Sequence, residues 1–452
     1  MIRSGHILMK LGEQVETRLP VHLDVLDGAA RAGGSVDGRG PVDRTILSRT
    51  TALRAKRCFH AHESLARIGA RHVHYNDTEC ALGLQRVVTL QLADARETAA
   101  VVADLRDLSE VEWVMAEPLA SIPFRAAAPG PHTSGIRAAA ERVGAAEALA
   151  LEPGLRAVAV AVIDTGVTLE HVEFAGKLRS GYDTVDLGIG RVAEDVALVG
   201  DSLGRDFCAR DETGHGTHVA GIIGARGLSM QPGIAGRSPL LPIRALAAAQ
   251  AGGGPIFGVG ALSDIDAAIK VAVDMGAKVL NMSFGTARSE TDPYAPPPHA
   301  DSVAYAAEEE CILVAAMGNS GTEEEFYPAA LPGCIAVGAC TLSGERAEFS
   351  TTGRHIALSA PGEHIYSAAI SGYADSSGTS HAAPFVAGAA ALLAARAAKR
   401  GHGLRVEEAR EALCLSAEGG DPNPETGWGM LNIPAALRHL DTMAFSETEA
   451  GR

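Results

Sequence analysis

The sequence predicts an α/β protein with a mostly parallel sheet and helices on both faces, preceded by a small α+β domain. From residue 136 onward, apolar runs of strand length recur, at 157–163, 240–246, 278–284, 311–317 and 334–340. These runs are continuous rather than alternating, which indicates strands buried on both faces, as in parallel sheets. Helical segments, such as 263–275 and 301–310, lie between several of them. Functional side chains are therefore expected at the carboxyl ends of the strands.

Residues 1–125 form the predicted small domain. Strand-like runs at 5–11 and 82–92, helical spacing at 97–108 and a closing strand at 111–118 fit a ferredoxin-like layer. Residues 27–45 are rich in Gly, Asp and Arg and are expected to be a loop. The remaining expected units are a Pro/Gly-rich linker at 126–135, a main domain at 136–440 and a loose polar tail at 441–452.

Composition narrows the class of protein. The chain has 452 residues, of which 46% are hydrophobic, so two or three domains with a sizeable core are expected. The formal charge is 39 − 55 = −16, and no basic stripe is visible. An acidic chain of this kind argues against nucleic-acid partners and against binding to anionic membranes.

Neither a membrane span nor a leader is predicted. The longest apolar run, 382–395, has 14 residues and contains Pro384, which favours a core helix. The first ten residues lack the apolar core of a signal peptide, so we expect a cytoplasmic protein, or a secreted one if the chain has been trimmed. Seven cysteines without a CxxC pair indicate free thiols in a reducing compartment.

Four polar residues follow strands or begin helices. Asp164 ends the run 157–163, and Asn319 lies between glycines after the run 311–317. His215 lies in a glycine-rich helix start, and Ser380 precedes the apolar run 382–395. Taken one at a time, the aspartate and the asparagine are also typical of turns, and the serine is a favoured helix cap.

The histidines at 215 and 218 have a spacing that also occurs in metal sites. No third ligand with sensible spacing follows, and the glutamate of an HExxH site is missing, so no metal site is predicted. The glycines on both sides of His215 instead indicate a backbone that another group approaches closely. Together the four residues supply an acid, an imidazole, an amide donor and a hydroxyl, which is the set that nucleophilic acyl transfer needs.

Four motifs resemble the signatures of the subtilisin-like serine proteases, the subtilase family. They are Asp-Thr-Gly at 164–166, Gly-His-Gly-Thr-His-Val-Ala-Gly at 214–221, Gly-Asn at 318–319 and Gly-Thr-Ser at 378–380. Their order, Asp then His then Ser, is that of subtilisin. The resemblance covers residues 136–437, including Gly-Trp-Gly-Met-Leu-Asn at 427–432, which is similar to the family's closing strand.

The resemblance implies a role for each residue. Asp164 orients the base, His215 is the general base, Ser380 is the nucleophile, and Asn319 forms the oxyanion hole with the Ser380 backbone N–H. His218 is then structural.

The resemblance also implies where a polypeptide substrate binds. The segment Ser283, Phe284 and Gly285 pairs with its extended backbone, and Ala316 and Gly318 wall the primary specificity pocket. Phe326 fills the floor of that pocket, which implies a small residue before the cut.

The N-terminal domain resembles a subtilase propeptide in its last strand, 111–118. In the family this domain is an intramolecular chaperone and inhibitor whose tail lies in the active-site cleft. We therefore expect a self-processing zymogen, with a permanent accessory domain as the alternative.

Two features depart from the family pattern. His381 stands where an uncharged residue, often methionine, is usual, and it either packs or adds a second titration to activity. Residues 224–233 lack the amide-rich character of the family's strong calcium loop. No cofactor is expected to be required, and weak calcium binding in the acidic stretch 183–211 stays open.

The function predicted from these observations is that of a serine endopeptidase. One alternative keeps the triad but processes precursor peptides, or transfers the acyl group to an amine, in a biosynthetic pathway. An inactive binding scaffold is the other alternative, and it requires a lost catalytic residue, which the sequence does not show.

Overall fold

The structure is a computed structural model that describes residues 1–17, 19, 35–66, 74–122, 137–203 and 205–443. The predicted linker at 126–135 and most of the predicted tail at 441–452 lie outside these residues.

The N-terminal domain is one antiparallel sheet with helices packed on it. Its strands are β1 (Ile2–Leu11), β2 (Ala52–Arg57), β3 (Val87–Leu92) and β4 (Val111–Ile122). Its helices are α1 (Pro41–Arg49), α2 (Glu63–Ala66), α3 (Asp77–Ala81) and α4 (Thr98–Arg106). The strand order β2-β3-β1-β4, antiparallel throughout, is the ferredoxin-like arrangement that the sequence predicts.

Helix α1 corrects the last part of the loop expected at 27–45, since residues 41–45 are helical, while residues 27–34 lie outside the described residues. It begins at Pro41, where the missing N–H costs nothing, and the Asp37 carboxylate accepts from the backbone of Gly40 and Val42. Its buried face consists largely of Val42 and Ile46. The polar composition around it hid a short helix that gains its stability from these two contacts rather than from propensity.

The main domain begins with helices α5 (Ala138–Arg142) and α6 (Ala145–Leu151). Its strands are β5 (Ala159–Asp164), β6 (Tyr182–Asp183), β7 (Arg191–Ala193), β8 (Val196–Val199), β9 (Leu240–Arg244), β10 (Ala247–Ala251), β11 (Ile256–Ala261), β12 (Ala277–Met282), β13 (Thr286–Ala287), β14 (Ile312–Ala316), β15 (Phe326–Tyr327), β16 (Cys334–Cys340), β17 (Ile356–Pro361), β18 (Ile365–Ala368) and β19 (Tyr373–Ser376). Its further helices are α7 (His215–Gly224), α8 (Leu262–Asp274), α9 (Ala300–Glu308), α10 (Thr379–Lys399), α11 (Val406–Leu415) and α12 (Ile433–Leu440).

The central sheet has the order β17-β16-β14-β12-β5-β9-β6, and every neighbouring pair is parallel. The five predicted strands are β5, β9, β12, β14 and β16, and each is buried except at isolated positions such as Lys278. Helices cover both faces, with α7 and α10 in one apolar core and α8 and α9 in the other. The predicted α/β class is confirmed.

Helix α10 is the predicted core helix, extended at both ends. By length and composition it is apolar and long enough to cross a membrane, but 89% of its most apolar stretch is buried inside the fold. A core helix that packs on all sides has this same composition.

Strand β4 joins the two domains. It runs beyond Pro118, where the sequence predicted its end, and its last residues pair with β11 in the register Ile122↔Gly258. One antiparallel sheet therefore extends from the N-terminal domain into the main domain, in the order β2-β3-β1-β4-β11-β10-β8-β7.

Candidate active site

The structure brings the predicted site residues together at the carboxyl ends of the parallel strands. Asp164 is the last residue of β5, His215 the first of α7, and Ser380 the second of α10. A cavity of about 250 Å³ is lined by His215, Ser283, Phe284, Gly285, Ala316, Gly318, Asn319 and Ser380, among others. Asp164 does not line it, because it is buried behind His215.

Asp164 and His215 form a buried pair. The distance from Asp164 Oδ1 to His215 Nδ1 is 2.7 Å, and both side chains are almost fully buried. Glycine is needed next to the histidine because a Cβ on Gly216 would lie 2.2 Å from the Gly166 carbonyl oxygen and 3.1 Å from the Asp164 Cβ. The glycines around His215 thus let the start of α7 pack directly against the end of β5.

Asp211 holds the start of α7 in place, and sequence reasoning missed it. Its carboxylate accepts from the backbone N–H groups of Gly214 and Thr217, each at 2.9 Å, and from the hydroxyl of Thr165, also at 2.9 Å. The positive end of the helix dipole also stabilises a carboxylate at this position. The available signal was an aspartate a few residues before a glycine-rich helix start.

Ser380 and Ser283 are joined by two reciprocal hydrogen bonds. The Ser380 hydroxyl donates to the Ser283 carbonyl at 2.9 Å, and the Ser283 hydroxyl donates to the Ser380 carbonyl at 3.0 Å. That second carbonyl needs a partner because Pro384, four residues on, has no N–H to donate. The interpretation of Ser380 as a helix cap is wrong, since Gly378 occupies the cap position. In this structure the Ser380 hydroxyl is thus directed at the Ser283 carbonyl.

Asn319 is oriented by the start of α10. Its Oδ1 accepts from the backbone N–H of Thr379 at 2.9 Å and from the Thr379 hydroxyl at 3.0 Å. With the oxygen held in this way, the Nδ2 amide is the free donor end, and Asn319 lines the cavity beside Ser380. The Ser380 backbone N–H lies at the same helix start, between the Thr379 N–H that Asn319 accepts and the His381 N–H, which donates to the Gly378 carbonyl at 3.0 Å.

Two further histidines pack behind His215. His218 Nε2 lies 3.0 Å from the Ile365 carbonyl oxygen and 3.1 Å from that of Ala374, and burial lowers the pKa of His218 to about 3. The His381 ring centre is 4.5 Å from that of His218. Burial, followed by the neighbouring His218 and His215, lowers the pKa of His381 well below its ordinary value. A pKa lowered in this way disfavours the hypothesis that His381 adds a second titration to activity near neutral pH.

Phe326 lies against Gly318, a predicted wall of the specificity pocket, and against Gly285 of the segment predicted to pair with the substrate. A Cβ on Gly285 would lie 2.3 Å from Phe326 Cε1, and one on Gly318 would lie 3.0 Å from its Cδ2. The ring thus occupies space that only glycines on both sides leave open, and it lines the same cavity as Ser380.

The N-terminal domain also reaches this cavity. Ser121 and Ile122, at the end of β4, line it together with His215 and Ser380. The antiparallel ladder between β4 and β11 aligns this end of the chain along the edge of the cavity.

Glu173 organises the loop after α7, where the family's strong calcium loop is expected. Its buried carboxylate accepts from the backbone N–H groups of Gly227, Leu228 and Ser229 and from the Tyr373 hydroxyl, at 2.8–3.0 Å. The N–H groups of this loop point at the Glu173 carboxylate and carry partial positive charge, so the loop does not fit a bound cation.

The acidic stretch 183–211 is also engaged within the protein. Asp183 pairs with Arg244 at 2.6 Å and Asp186 with Lys56 at 2.7 Å, while Asp211 accepts the donors described above. Among the residues that the structure describes, there is no cluster of three or more His, Cys, Asp or Glu side chains arranged to hold a metal ion.

Replacing Glu173 with Gln is expected to destabilise the fold by about 1–3 kcal/mol, because the new amide leaves buried N–H donors without an acceptor. Burial alone would raise the pKa of Glu173, but the hydrogen bonds from Ser229, Leu228, Tyr373 and Gly227 lower it below its ordinary value. A lowered pKa in the folded state adds stability that is present above the unfolded pKa, about 4.3, and is lost as the pH falls through the folded pKa.

Thermal unfolding of both proteins between pH 3 and pH 8 measures this effect. The gap in melting temperature between wild type and Glu173→Gln should be largest at neutral pH and narrow in acid. Glu170→Gln, which removes an exposed partner of Arg210, is the matched control and should change little. A gap that does not depend on pH would contradict the role of the Glu173 charge.

Seven cysteines are free, and five of them are buried, namely Cys58, Cys311, Cys334, Cys340 and Cys414. Burial raises the pKa of Cys334 and Cys340 to about 12, so these thiols are unreactive. The structure thus keeps nucleophilic cysteine chemistry away from the cavity.

Comparison with known proteins places this geometry in a family. Residues 156–429 match the model of the subtilase family. A thermophilic serine proteinase from Bacillus sp. (strain AK1) is 40% identical over 239 residues, which are 52% of this chain and 52% of that protein. Thermitase from Thermoactinomyces vulgaris is 34% identical over 238 residues, or 52% of this chain and 75% of that protein.

Among solved structures, the prenylagaramide maturation protease PagA is 30% identical, with a TM-score of 0.52, over 66% of this chain and 98% of that one. The match to the Bacillus proteinase spans only about half of that relative's length. The family match alone covers more than half of the present chain. The chain therefore belongs to the subtilase family.

Proposed function

We propose that the protein cleaves polypeptides through an acyl-enzyme intermediate on Ser380. The observation that carries this proposal is the buried 2.7 Å contact between Asp164 and His215, at the wall of a cavity that also contains the Ser380 hydroxyl. No cofactor is required in this mechanism, because side chains supply the base, the nucleophile and the oxyanion donors.

Each residue has one task in the proposed reaction. His215 takes the proton of Ser380 as the hydroxyl oxygen attacks the substrate carbonyl, and later gives that proton to the leaving amine. Asp164 accepts a hydrogen bond from the Nδ1–H of His215 and so keeps the other ring nitrogen, Nε2, available as the base. The Asn319 amide and the Ser380 backbone N–H stabilise the oxyanion, and water then hydrolyses the acyl-enzyme.

The proposed enzyme is made as a zymogen. Support comes from β4, whose end lies in the cavity with Ser121 and Ile122 beside the site residues. The ladder between β4 and β11 is the strand-addition mode in which proteases bind extended peptides. We infer that the N-terminal domain blocks the cavity until the chain is cut between residues 122 and 137.

Intact mass after expression tests both parts of the proposal. The wild-type chain is expected to lose an N-terminal piece of about 125 residues and to label with a fluorophosphonate, whereas Ser380→Ala does neither. If neither chain is cut but the wild type labels, the N-terminal domain is a permanent part of the enzyme. Wild type that neither cuts itself nor labels would overturn the protease mechanism.

Processing of a precursor peptide is the second candidate function. It is favoured by the likeness to the prenylagaramide maturation protease, whose chain is covered over 98% of its length. Mass spectrometry of the products of a model peptide, in the presence of an added amine, separates hydrolysis from acyl transfer.

We also infer a reducing compartment from the free thiols, which fits a cytoplasmic enzyme.

Phe326 is expected to restrict the residue before the cut to a small one. Replacing Phe326 with Gly should raise kcat/KM for a peptide with Phe at that position by about tenfold or more, relative to the same peptide with Ala. The ring fills the space between Gly285 and Gly318, so its removal opens the pocket floor.

Competition between the two peptides in one reaction measures this ratio directly. Leu415→Ala is a suitable control, because this exposed side chain lies at the end of α11 and does not line the cavity. An unchanged preference in Phe326→Gly would show that another residue limits the pocket.

A further inference from the structure

A second concave site lies on the opposite edge of the central sheet. A groove of about 590 Å³ is lined by Arg156, Gly176, Lys177, Leu178, Arg179, Gly236, Arg237 and Pro239. These residues come just before β5, after the short 3₁₀ turn Val172–Phe174, and just before β9. The groove is therefore at the amino ends of the two strands, whereas Asp164 ends β5 on the side of the active site.

The groove concentrates positive charge in an acidic protein. Four of its lining residues are cationic and none is acidic, while the whole chain carries a formal charge of −16. Across the described parts of the chain, none of the four has a carboxylate within ion-pair distance. Their polar contacts are to carbonyls: Lys177 Nζ donates to Gly236, and Arg179 Nη2 donates to Arg156 at 3.1 Å.

Burial lowers the pKa of the Lys177 ammonium, because removal from water disfavours its charged form. An anion in the groove would stabilise that charge. Two of the groups, Arg156 and Arg237, are exposed and free to form the paired hydrogen bonds that guanidinium makes with carboxylates.

The groove is built on a fixed backbone. The Arg179 N–H donates to Leu240 at 2.8 Å, the Leu240 N–H donates to Lys177 at 2.9 Å, and the Arg237 N–H donates to Pro153 at 2.7 Å. These bonds tie the segments that carry the cations to one another and to the start of β9. The backbone segments that carry the cations are thus fixed before any ligand arrives, so binding has to order side chains only, which lowers its entropy cost.

We propose that this groove binds an acidic segment of a polypeptide. A groove of this volume with four cations on three chain segments suits several carboxylates along an extended chain better than one small anion. A nucleic acid carries a charge at every unit, and it would be repelled by the rest of an acidic surface. A short acidic stretch within an ordinary polypeptide meets the cations without that repulsion.

The position of the groove determines how far from the scissile bond an acidic segment of a substrate would bind. Strand β5 runs from Ala159 to Asp164, five residue steps that span about 17 Å at the usual rise of a strand, and Arg156 lies in the turn before it. An acidic segment in the groove would therefore lie at least about five extended residues from the scissile bond. This link to cleavage rests on the proposed protease function, while the binding itself does not.

Binding is tested with the full chain carrying Ser380→Ala, which prevents digestion of the probe. Fluorescence anisotropy with a labelled hexaglutamate should show saturable binding that weakens at least tenfold between 50 and 300 mM NaCl. Hexaglutamine should not bind. Arg156→Gln with Arg237→Gln should weaken hexaglutamate binding at least tenfold, while the control pair Arg44→Gln with Arg354→Gln, exposed arginines outside the groove, should stay within twofold.

Equal binding of hexaglutamine, or no effect of the groove substitutions, would overturn the proposal. A labelled single-stranded oligonucleotide that binds more tightly through the same two arginines would assign the groove to nucleic acid instead.

The link to cleavage has its own measurement. With active enzyme, a peptide carrying four glutamates twelve residues from the cut should have a KM at least fivefold below that of its glutamine analogue. Arg156→Gln with Arg237→Gln should remove the difference without changing kcat. If hexaglutamate binds but KM does not respond, the groove serves another acidic partner. If the enzyme is inactive on both peptides, the protease mechanism fails and the binding result stands.

Discussion

Replacing His215 with Ala is expected to lower turnover about 10⁶-fold, as removal of the base does in subtilisin, a member of the same family. The physical reason is that a serine hydroxyl is a weak nucleophile until a base takes its proton during attack. His215 is the histidine in the cavity whose Nδ1 is fixed by a buried carboxylate, at 2.7 Å from Asp164 Oδ1. The alanine variant should keep a small rate above that of water, because the oxyanion donors remain.

Single-turnover and steady-state assays on a chromogenic peptide measure this loss, with the fold checked by thermal melting. His439→Gln is the matched control, because this histidine lies on α12 and does not line the cavity. A His215→Ala protein that keeps more than a hundredth of wild-type turnover would show that another group is the base.

Much of the main domain is predictable from sequence because its strands are buried on both faces. Each such strand is a continuous apolar run, so the end of the run 157–163 places Asp164 at the end of a strand. The same pattern places Asn319 after β14, whereas Ser380 is placed by the apolar run of the core helix that follows it. Glycine spacing is the other usable signal, since Gly216 is required by the close approach of Gly166.

The features that sequence reasoning missed depend on partners distant in the chain. Strand β4 continues to Ile122 because β11, more than 130 residues later, supplies its hydrogen-bond partners. Glu173 has the sequence context of an ordinary loop residue, and only the folded chain brings the amides of residues 227–229 to its carboxylate. Local composition carries no record of such pairings.

The contact between the two domains also depends on distant partners. Lys270, on α8 of the main domain, lies 2.6 Å from Glu79 of the N-terminal domain and 2.6 Å from Asp274, and all three side chains are fully buried. Asp274 also meets His60 at 2.8 Å and the Tyr305 hydroxyl at 2.7 Å. Burial alone would raise the pKa of Asp274, but the Lys270 charge and the hydrogen bonds from His60 and His62 lower it well below its ordinary value.

Replacing Lys270 with Met is therefore expected to destabilise the full chain by about 3–5 kcal/mol, since it leaves two buried carboxylates without their cation. Urea unfolding in the Ser380→Ala background measures the change without self-digestion. Arg438→Gln is the control, because it breaks an exposed pair with Glu147 and should cost about 0–1 kcal/mol.

A double substitution separates lost charge pairing from lost packing. Adding Glu79→Gln to Lys270→Met removes one of the stranded charges, so the double variant should be more stable than the sum of the two single losses predicts. Strict additivity would mean that the two groups do not interact.

Because Glu79 belongs to the N-terminal domain, Glu79→Gln alone should also weaken the docking of that domain on the main domain. If the end of β4 blocks the cavity, Glu79→Gln should make Ser380 label faster with a fluorophosphonate, and an unchanged rate would separate docking of the domain from inhibition.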